Sequence, residues 1–195
     1  MENDERIQTT EESLRIITEM ISKTKVNIRQ SSFHLLFWGW LIFFCSLSEY
    51  LLLKLTDFSS PWYVWYLVIP GVFVSMIYGF IKGRKERVYT YATNLYVWTW
   101  IAFMASAIVL FIIIWGRWEL FASLIIAMAA LPTFISGIII KFRPLLIGAV
   151  IFWILALIAR FGGHDIASLA VPVAMLAGYL IPGYMLKKQA GYETV

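Results

Sequence analysis

The stretch LLFWGWLIFFCSLSEYLLL, residues 35–53, decides the fold class of this chain. Only one of its side chains, that of Glu49, carries a charge. A helix needs about 20 predominantly apolar residues to cross the roughly 30 Å hydrocarbon core of a bilayer. The stretch therefore predicts a transmembrane helix that begins near the amino terminus.

Five more stretches of this kind follow, and little of the chain is left over. Of its 195 residues, 61% are hydrophobic and 14% are charged, and the mean hydropathy is +0.76. Soluble domains are about half apolar, so the composition excludes a soluble globular protein. The predicted spans are 33–53, 62–81, 95–115, 120–140, 144–161 and 166–186.

The predicted architecture is an all-α, polytopic helical bundle, with six transmembrane helices arranged as three hairpins. Residues 1–32 form a cytoplasmic amphipathic segment, residues 33–186 the membrane domain, and residues 187–195 a cytoplasmic tail. The first twelve residues, MENDERIQTTEE, lack the basic and apolar regions of a cleavable signal peptide. The first span is expected to act as its own insertion signal.

Lys and Arg are distributed unevenly between the two sides of this bundle. Thirteen lie on one side, and only Lys54, Arg117 and Arg160 lie on the other. Basic residues accumulate on the cytoplasmic side of membrane proteins, so both termini are expected inside. The net charge of +4 then reflects topology, and no nucleic-acid partner is expected.

The loop KGRKERVYTYATN carries the densest group of these bases. It is expected either to contact anionic lipid headgroups, at about 1 kcal/mol for each base, or only to hold the loop on the inner side. The bases concerned are Lys82, Arg84, Lys85 and Arg87.

Small residues recur every four positions in the even-numbered spans. Residues four apart share a helix face, and a small face lets the backbones of two helices approach closely in lipid. We therefore expect the even spans to form the packed interior and the odd spans to lie outside them. Whether the three hairpins are a true internal repeat stays open. The small positions are Gly71, Ser75, Gly79 and Gly83 in the second span, Ala129, Thr133 and Gly137 in the fourth, and Ala170, Ala174 and Gly178 in the sixth.

Tryptophans recur as Trp-x-Trp pairs near the inner ends of the first and third spans. Residues two apart on a helix point about 200° apart, so the two rings of a pair cannot form one cage. One ring can face lipid while the other faces a neighbouring helix. We interpret the tryptophans as two interfacial belts, an inner belt of Trp38, Trp40, Trp98 and Trp100 and an outer belt of Trp62, Trp65, Trp115 and Trp118.

The segment before the first span is predicted to be an amphipathic helix. Thr9 and Glu12 fit a capping box, and an apolar face repeats through Leu14, Ile17 and Ile21. Three interpretations remain open. The helix lies on the inner membrane surface, packs against the cytoplasmic ends of the bundle, or pairs through residues 9–30 with a second copy or a partner protein.

The sequence SLRIITEMISKTKVNIRQSSFHLLFWGWLIF, residues 13–43, resembles the opening of a group of small bacterial membrane proteins. Members of that group pair such a helix with a Trp-Gly-Trp first span. The resemblance implies a multi-pass protein of the bacterial cytoplasmic (inner) membrane, and it implies no chemistry.

Ionisable residues deep in a membrane are the strongest sequence sign of transport or catalysis, and the central parts of these spans carry almost none. The remaining charges lie near the outer surface, where Glu49 and Arg160 are expected to pair. The candidate outer polar cluster is Glu49, Arg160, His164 and Asp165. It is interpreted either as salt bridges near the headgroups or as a polar pocket open to the outside.

No enzyme motif accompanies this cluster. The spacing of HExxH-type metal sites is absent, as is the Gly-x-Ser-x-Gly turn of a nucleophilic serine. Cys45 has no second cysteine to pair with. We therefore expect no enzymatic activity, no metal and no cofactor. The first hypothesis is a non-enzymatic regulatory or interaction protein of the membrane. The alternative is a small transporter or channel for an apolar or weakly polar solute.

Overall fold

A computed structural model describes residues 32–56, 59–85 and 91–192 of the chain. Within these ranges the chain is helical apart from short connections, and it contains no strand. The predicted all-α class is confirmed. The predicted amphipathic segment, up to residue 31, lies outside the described residues.

Six helices of the described chain are long and apolar enough to cross a membrane, as the sequence predicts. They are Ser32–Leu55, Pro61–Ile81, Tyr91–Ile113, Trp118–Ile140, Arg143–Phe161 and Asp165–Gln189.

Within these spans the α-helical elements are α1 Ser32–Leu55, α2 Val68–Lys85, α3 Tyr91–Ile113, α4 Phe121–Ile140, α5 Arg143–Phe161, α6 His164–Met175 and α7 Ile181–Tyr192. The 3-10 helices Pro61–Leu67 and Trp118–Leu120 lead into α2 and α4. A π-helical turn, Leu176–Leu180, joins α6 to α7 in the sixth span.

Local sequence explains where α4 ends and α5 begins. Lys141 adopts a left-handed conformation, with φ 57° and ψ 39°, and its amide bonds back to the carbonyls of Gly137 and Ile138. A left-handed residue of this kind closes many helices. Pro144 then occupies the first turn of α5, where its missing N–H leaves no intrahelical bond unmade.

The buried core lies among α4, α5 and the sixth span. α4 packs along α5, and α5 packs in turn along α6 and the π turn. The largest fully buried side chains there include Phe152, Ile126 and Leu145. α5 and the π turn approach almost backbone to backbone, since a Cβ on Gly148 would lie 2.9 Å from Gly178 Cα.

The expectation that even spans are inside and odd spans outside is right for some spans and wrong for others. In their most apolar windows, 44% of the fourth span and 61% of the sixth are buried, and none of the third is. The second span, at 6%, is peripheral, so the expectation is wrong there. The fifth span is odd-numbered and reaches 33%, because its own small residues Gly148, Ala149 and Ala156 face the core.

Only part of the face of small residues on the second span packs against another helix. A Cβ on Gly71 would meet the side chain of Leu41 in α1, so α1 packs closely there. Two turns further on, a Cβ on Gly79 would meet nothing within 4 Å. The second span therefore packs along one edge of α1 and contributes little to the core.

The π turn lies directly before Pro182. Proline has no N–H, and its ring conflicts with the carbonyl four residues earlier in an α-helix, here that of Gly178. The helix widens over Leu176–Leu180, and the Ile181 amide bonds to the Leu176 carbonyl, five residues back. Such turns are rare and usually consist of a single turn within an α-helix.

The contact of Gly178 with Phe152 gives a prediction for stability. A Cβ at Gly178 would overlap the Phe152 ring, so Gly178→Ala is expected to lower the free energy of unfolding by about 1–3 kcal/mol, as overpacked cores do. Titration with a denaturing detergent measures this value. Gly79→Ala is the matched control; with open space at its Cβ it should leave the free energy of unfolding unchanged or raise it by up to about 1 kcal/mol, because alanine favours a helix over glycine. Equal effects of the two substitutions would contradict the packing described here.

Candidate functional site

A half-buried carboxylate near the outer end of α1 is held by the second span. Trp65 Nε1 donates to Glu49 Oε2 at 2.8 Å. One turn earlier in α1, the buried Cys45 thiol donates to the Val64 carbonyl at 3.4 Å. These bonds tie α1 to the 3-10 helix that opens the second span. Within the described residues, Glu49 thus has an indole donor and forms no ion pair.

The other members of the outer polar cluster lie apart from Glu49. The Arg160 guanidinium lies 5.9 Å from the centre of the Phe161 ring, and no Glu49–Arg160 ion pair forms within the described residues. Arg160 is exposed at the end of α5, where headgroups and water can solvate it. His164 begins α6, and its side chain lies outside the described part of the chain. Convergence of the four side chains into one pocket stays a prediction.

Asp165 pairs with a residue that the predicted cluster omits. Lys54 Nζ lies 2.8 Å from Asp165 Oδ2, and both side chains are exposed. An exposed ion pair contributes about 0–1 kcal/mol, so this contact joins the outer ends of α1 and α6 but adds little to the stability of the fold. The sequence signal for it was a pair of opposite charges at the same end of two spans.

The two tryptophans of the first pair bond to different spans. Trp38 Nε1 donates to Ser75 Oγ of α2 at 3.3 Å, and Ser75 Oγ also lies 3.2 Å from His34 Nδ1. Trp40 Nε1 donates to the Tyr184 hydroxyl of α7 at 3.1 Å. The two indoles therefore hold α1 between the second and sixth spans.

Gly39, between these two tryptophans, is the point where α1 meets the sixth span. A Cβ there would lie 2.9 Å from Leu180 Cδ2 and 3.1 Å from Tyr179 Cβ. A larger side chain at this position would separate the two helices. The Trp-Gly-Trp motif is thus a packing device in this structure, with a close contact flanked by two hydrogen bonds.

The second pair uses one of its rings in the same way. Trp100 Nε1 donates to Ser136 Oγ of α4 at 3.2 Å, while the Trp98 side chain is 61% exposed. One ring therefore faces a neighbour and the other faces outward, as the 200° separation predicts. Trp62, Trp115 and Trp118 are also exposed, and the assignment of the tryptophans to two interfacial belts stays a prediction.

A buried hydroxyl pair beside the π turn was not predicted as a polar site. Thr133 Oγ1 lies 2.7 Å from the Ala129 carbonyl and 3.3 Å from the Tyr179 hydroxyl. The Tyr179 ring packs 5.2 Å from Phe152, centre to centre. Sequence spacing marked Thr133 only as a small residue, and nothing local identified Tyr179 as its partner.

The predicted lipid contacts of the basic loop lie outside the described part of the chain, which does not include the side chains of Lys82, Arg84, Lys85 and Arg87. Where side chains are described, no group of three or more His, Cys, Asp or Glu residues is placed to hold a metal ion.

No protein-family model, curated protein or solved structure significantly matches this chain. Function therefore has to be inferred from the contacts described above.

The bond between Trp65 and Glu49 gives a second prediction. Trp65→Phe keeps an aromatic ring but removes the donor, and it should lower the free energy of unfolding by about 1–2 kcal/mol because hydrogen bonds to charged groups are the stronger kind. Trp62→Phe, one turn earlier on an exposed ring, is the control and should have no measurable effect. Unfolding by denaturing detergent compares the two, and equal stability of both variants would show that the bond contributes nothing.

Proposed function

We propose that this protein is a non-enzymatic, multi-pass membrane protein that acts by binding a protein partner or a second copy of itself. One observation carries the proposal. Within the described residues, every buried side-chain nitrogen or oxygen has a hydrogen-bond partner. Polar groups that serve a substrate or an ion leave donors or acceptors open for it. These groups bond instead to a neighbouring span, as Ser136 does with Trp100, or to the backbone of their own helix, as Ser46 does.

In the proposed topology the six spans form three hairpins in the cytoplasmic membrane of a bacterium, with both termini inside. The contacts of α1 with the second span, of α3 with α4 and of α5 with α6 are those that the pairing requires, and α4 also packs extensively along α5 of the next hairpin. The thirteen-to-three distribution of basic residues supports the orientation.

The proposed contact surface is cytoplasmic and comprises residues 9–30 and the basic loop. The apolar face of residues 9–30 supplies the area for a protein contact. The bases Lys82, Arg84, Lys85 and Arg87 supply attraction to anionic headgroups beside it.

Substitution on the two faces of this segment tests the proposal. Ile21→Glu places a charge on the apolar face, and desolvating that charge in an interface is costly, so the variant should lose most of its association. Gln30→Glu adds the same charge on the opposite face and should associate as the native chain does. Cross-linking in native membranes, followed by the mass of the purified complex in mild detergent, measures association.

Two results would count against the proposal. Association that survives Ile21→Glu unchanged would remove residues 9–30 from the interface. A native chain that is monomeric and recovers no protein partner in membranes would remove the interaction function itself.

A small transporter or channel for an apolar or weakly polar solute is the second candidate. It is favoured by the π turn before Pro182, which interrupts the regular helix of the sixth span. The close contact of Gly148 with Gly178 disfavours it, because that contact closes the packed centre of α5 and the sixth span.

If the protein is a transporter, uptake of apolar solutes into vesicles containing it should exceed uptake into empty vesicles; equal rates would remove this candidate.

A further inference from the structure

A groove of about 600 Å³ runs along one face of α1. Phe33, Phe37, Trp40 and Phe44 line its floor, and Tyr78 of α2 forms a wall by stacking on Phe33 with ring centres 3.8 Å apart. Among the described residues that line it, only Lys187 of α7 is charged. The volume lies in the range of about 300–1,000 Å³ that is usual for small-molecule sites.

The length of the groove matches one leaflet of a bilayer. It extends from Ser32, the first residue of the 24-residue first span, to Phe44 near the middle of that span. Twelve residues of α-helix rise about 18 Å, and half of the hydrocarbon core is about 15 Å thick. The groove therefore begins at the membrane boundary and ends near the midplane.

The polar groups lie at the boundary end. Lys187 lies two residues before the end of the sixth span, is exposed, and forms no ion pair within the described residues. One turn earlier, the Tyr184 hydroxyl accepts the Trp40 indole proton and keeps its own proton to donate. The Lys187 ammonium thus stands at the depth of phosphate groups, above an apolar channel, whereas the Tyr184 hydroxyl lies deeper, beside Trp40.

The shape of the groove suits a long, thin apolar occupant. A volume of about 600 Å³ spread over about 18 Å gives an average cross-section of roughly 35 Å². An extended hydrocarbon chain can lie along a groove of this length and width.

We propose that this groove holds one acyl chain of an anionic phospholipid, whose headgroup phosphate binds the Lys187 ammonium group. The proposal does not depend on the proposed interaction function. A bound lipid would fill the cleft between α1, α2 and α7 and so add packing contacts beside the lightly buried second span.

Native mass spectrometry of the full-length protein tests the proposal. The protein is reconstituted in vesicles of equal parts phosphatidylglycerol and phosphatidylcholine and then extracted in mild detergent. The native chain should retain one phosphatidylglycerol in preference to phosphatidylcholine. Lys187→Gln should weaken phosphatidylglycerol binding about five-fold, the effect of one basic residue near an anionic surface, and leave phosphatidylcholine binding unchanged.

Matched control variants distinguish lipid binding in the groove from non-specific attraction of anionic lipids to surface charges. Lys141→Gln removes the same charge from an exposed position outside the groove and should leave lipid retention unchanged. Phe44→Ser should weaken both lipids, because it removes an exposed part of the groove floor, and Phe73→Ser on the exposed face of α2 should weaken neither.

Three outcomes would overturn the proposal. Equal retention of the two lipids would remove the role of Lys187. An equal loss of phosphatidylglycerol in Lys141→Gln would show only diffuse electrostatic attraction. A dimer that disappears on Phe44→Ser, without bound lipid in the native chain, would assign the groove to a second copy.

Discussion

The approach of α5 to the sixth span at Gly148 and Gly178 is the contact on which the packing of this bundle depends. Lipid tails are as apolar as the side chains they surround, so no hydrophobic effect drives one transmembrane helix against another. Association must come from dispersion contacts, which fall off steeply with separation. Two glycines let the backbones approach, and the Phe152 ring then packs against Gly178. The most buried spans gather around this contact.

Hydrogen bonds between helices add a second, weaker source of cohesion. Such bonds in membrane proteins average about 0.6 kcal/mol each, so none of them determines the fold alone. Their positions are informative nevertheless. Trp38 bonds to Ser75 and Trp100 bonds to Ser136, so an indole of an odd-numbered span meets a serine of the following even-numbered span in both cases. The two bonds resemble each other in geometry, and they show how a bulky ring can pack beside a small residue.

The fold also separates a rigid part from a lightly packed one. α4, α5 and the sixth span bury much of their surface against each other, whereas the second and third spans bury almost none. Local opening costs least where few apolar contacts must be broken. The groove along α1 lies on the lightly packed side, where a lipid or a partner can bind without disturbing the core. Both proposals for this protein place its interactions there or at the cytoplasmic ends, away from the closed centre.

The sequence by itself determined the helical class, the number of apolar helices and their approximate ends, because span length and hydropathy are local properties of the chain. It also showed that Trp38 and Trp40 point in different directions, which follows from helix geometry alone. The partners were not local properties. Small-residue spacing marked the second span for the interior, but a small face packs only where a neighbour reaches it, and α1 reaches Gly71 and not Gly79. Opposite charge suggested that Glu49 pairs with Arg160. In the structure Glu49 accepts a hydrogen bond from Trp65 instead. The ion pair at this end of the bundle joins Lys54 to Asp165. Only the tertiary structure decided which faces meet, because that choice depends on how all six helices fill space together.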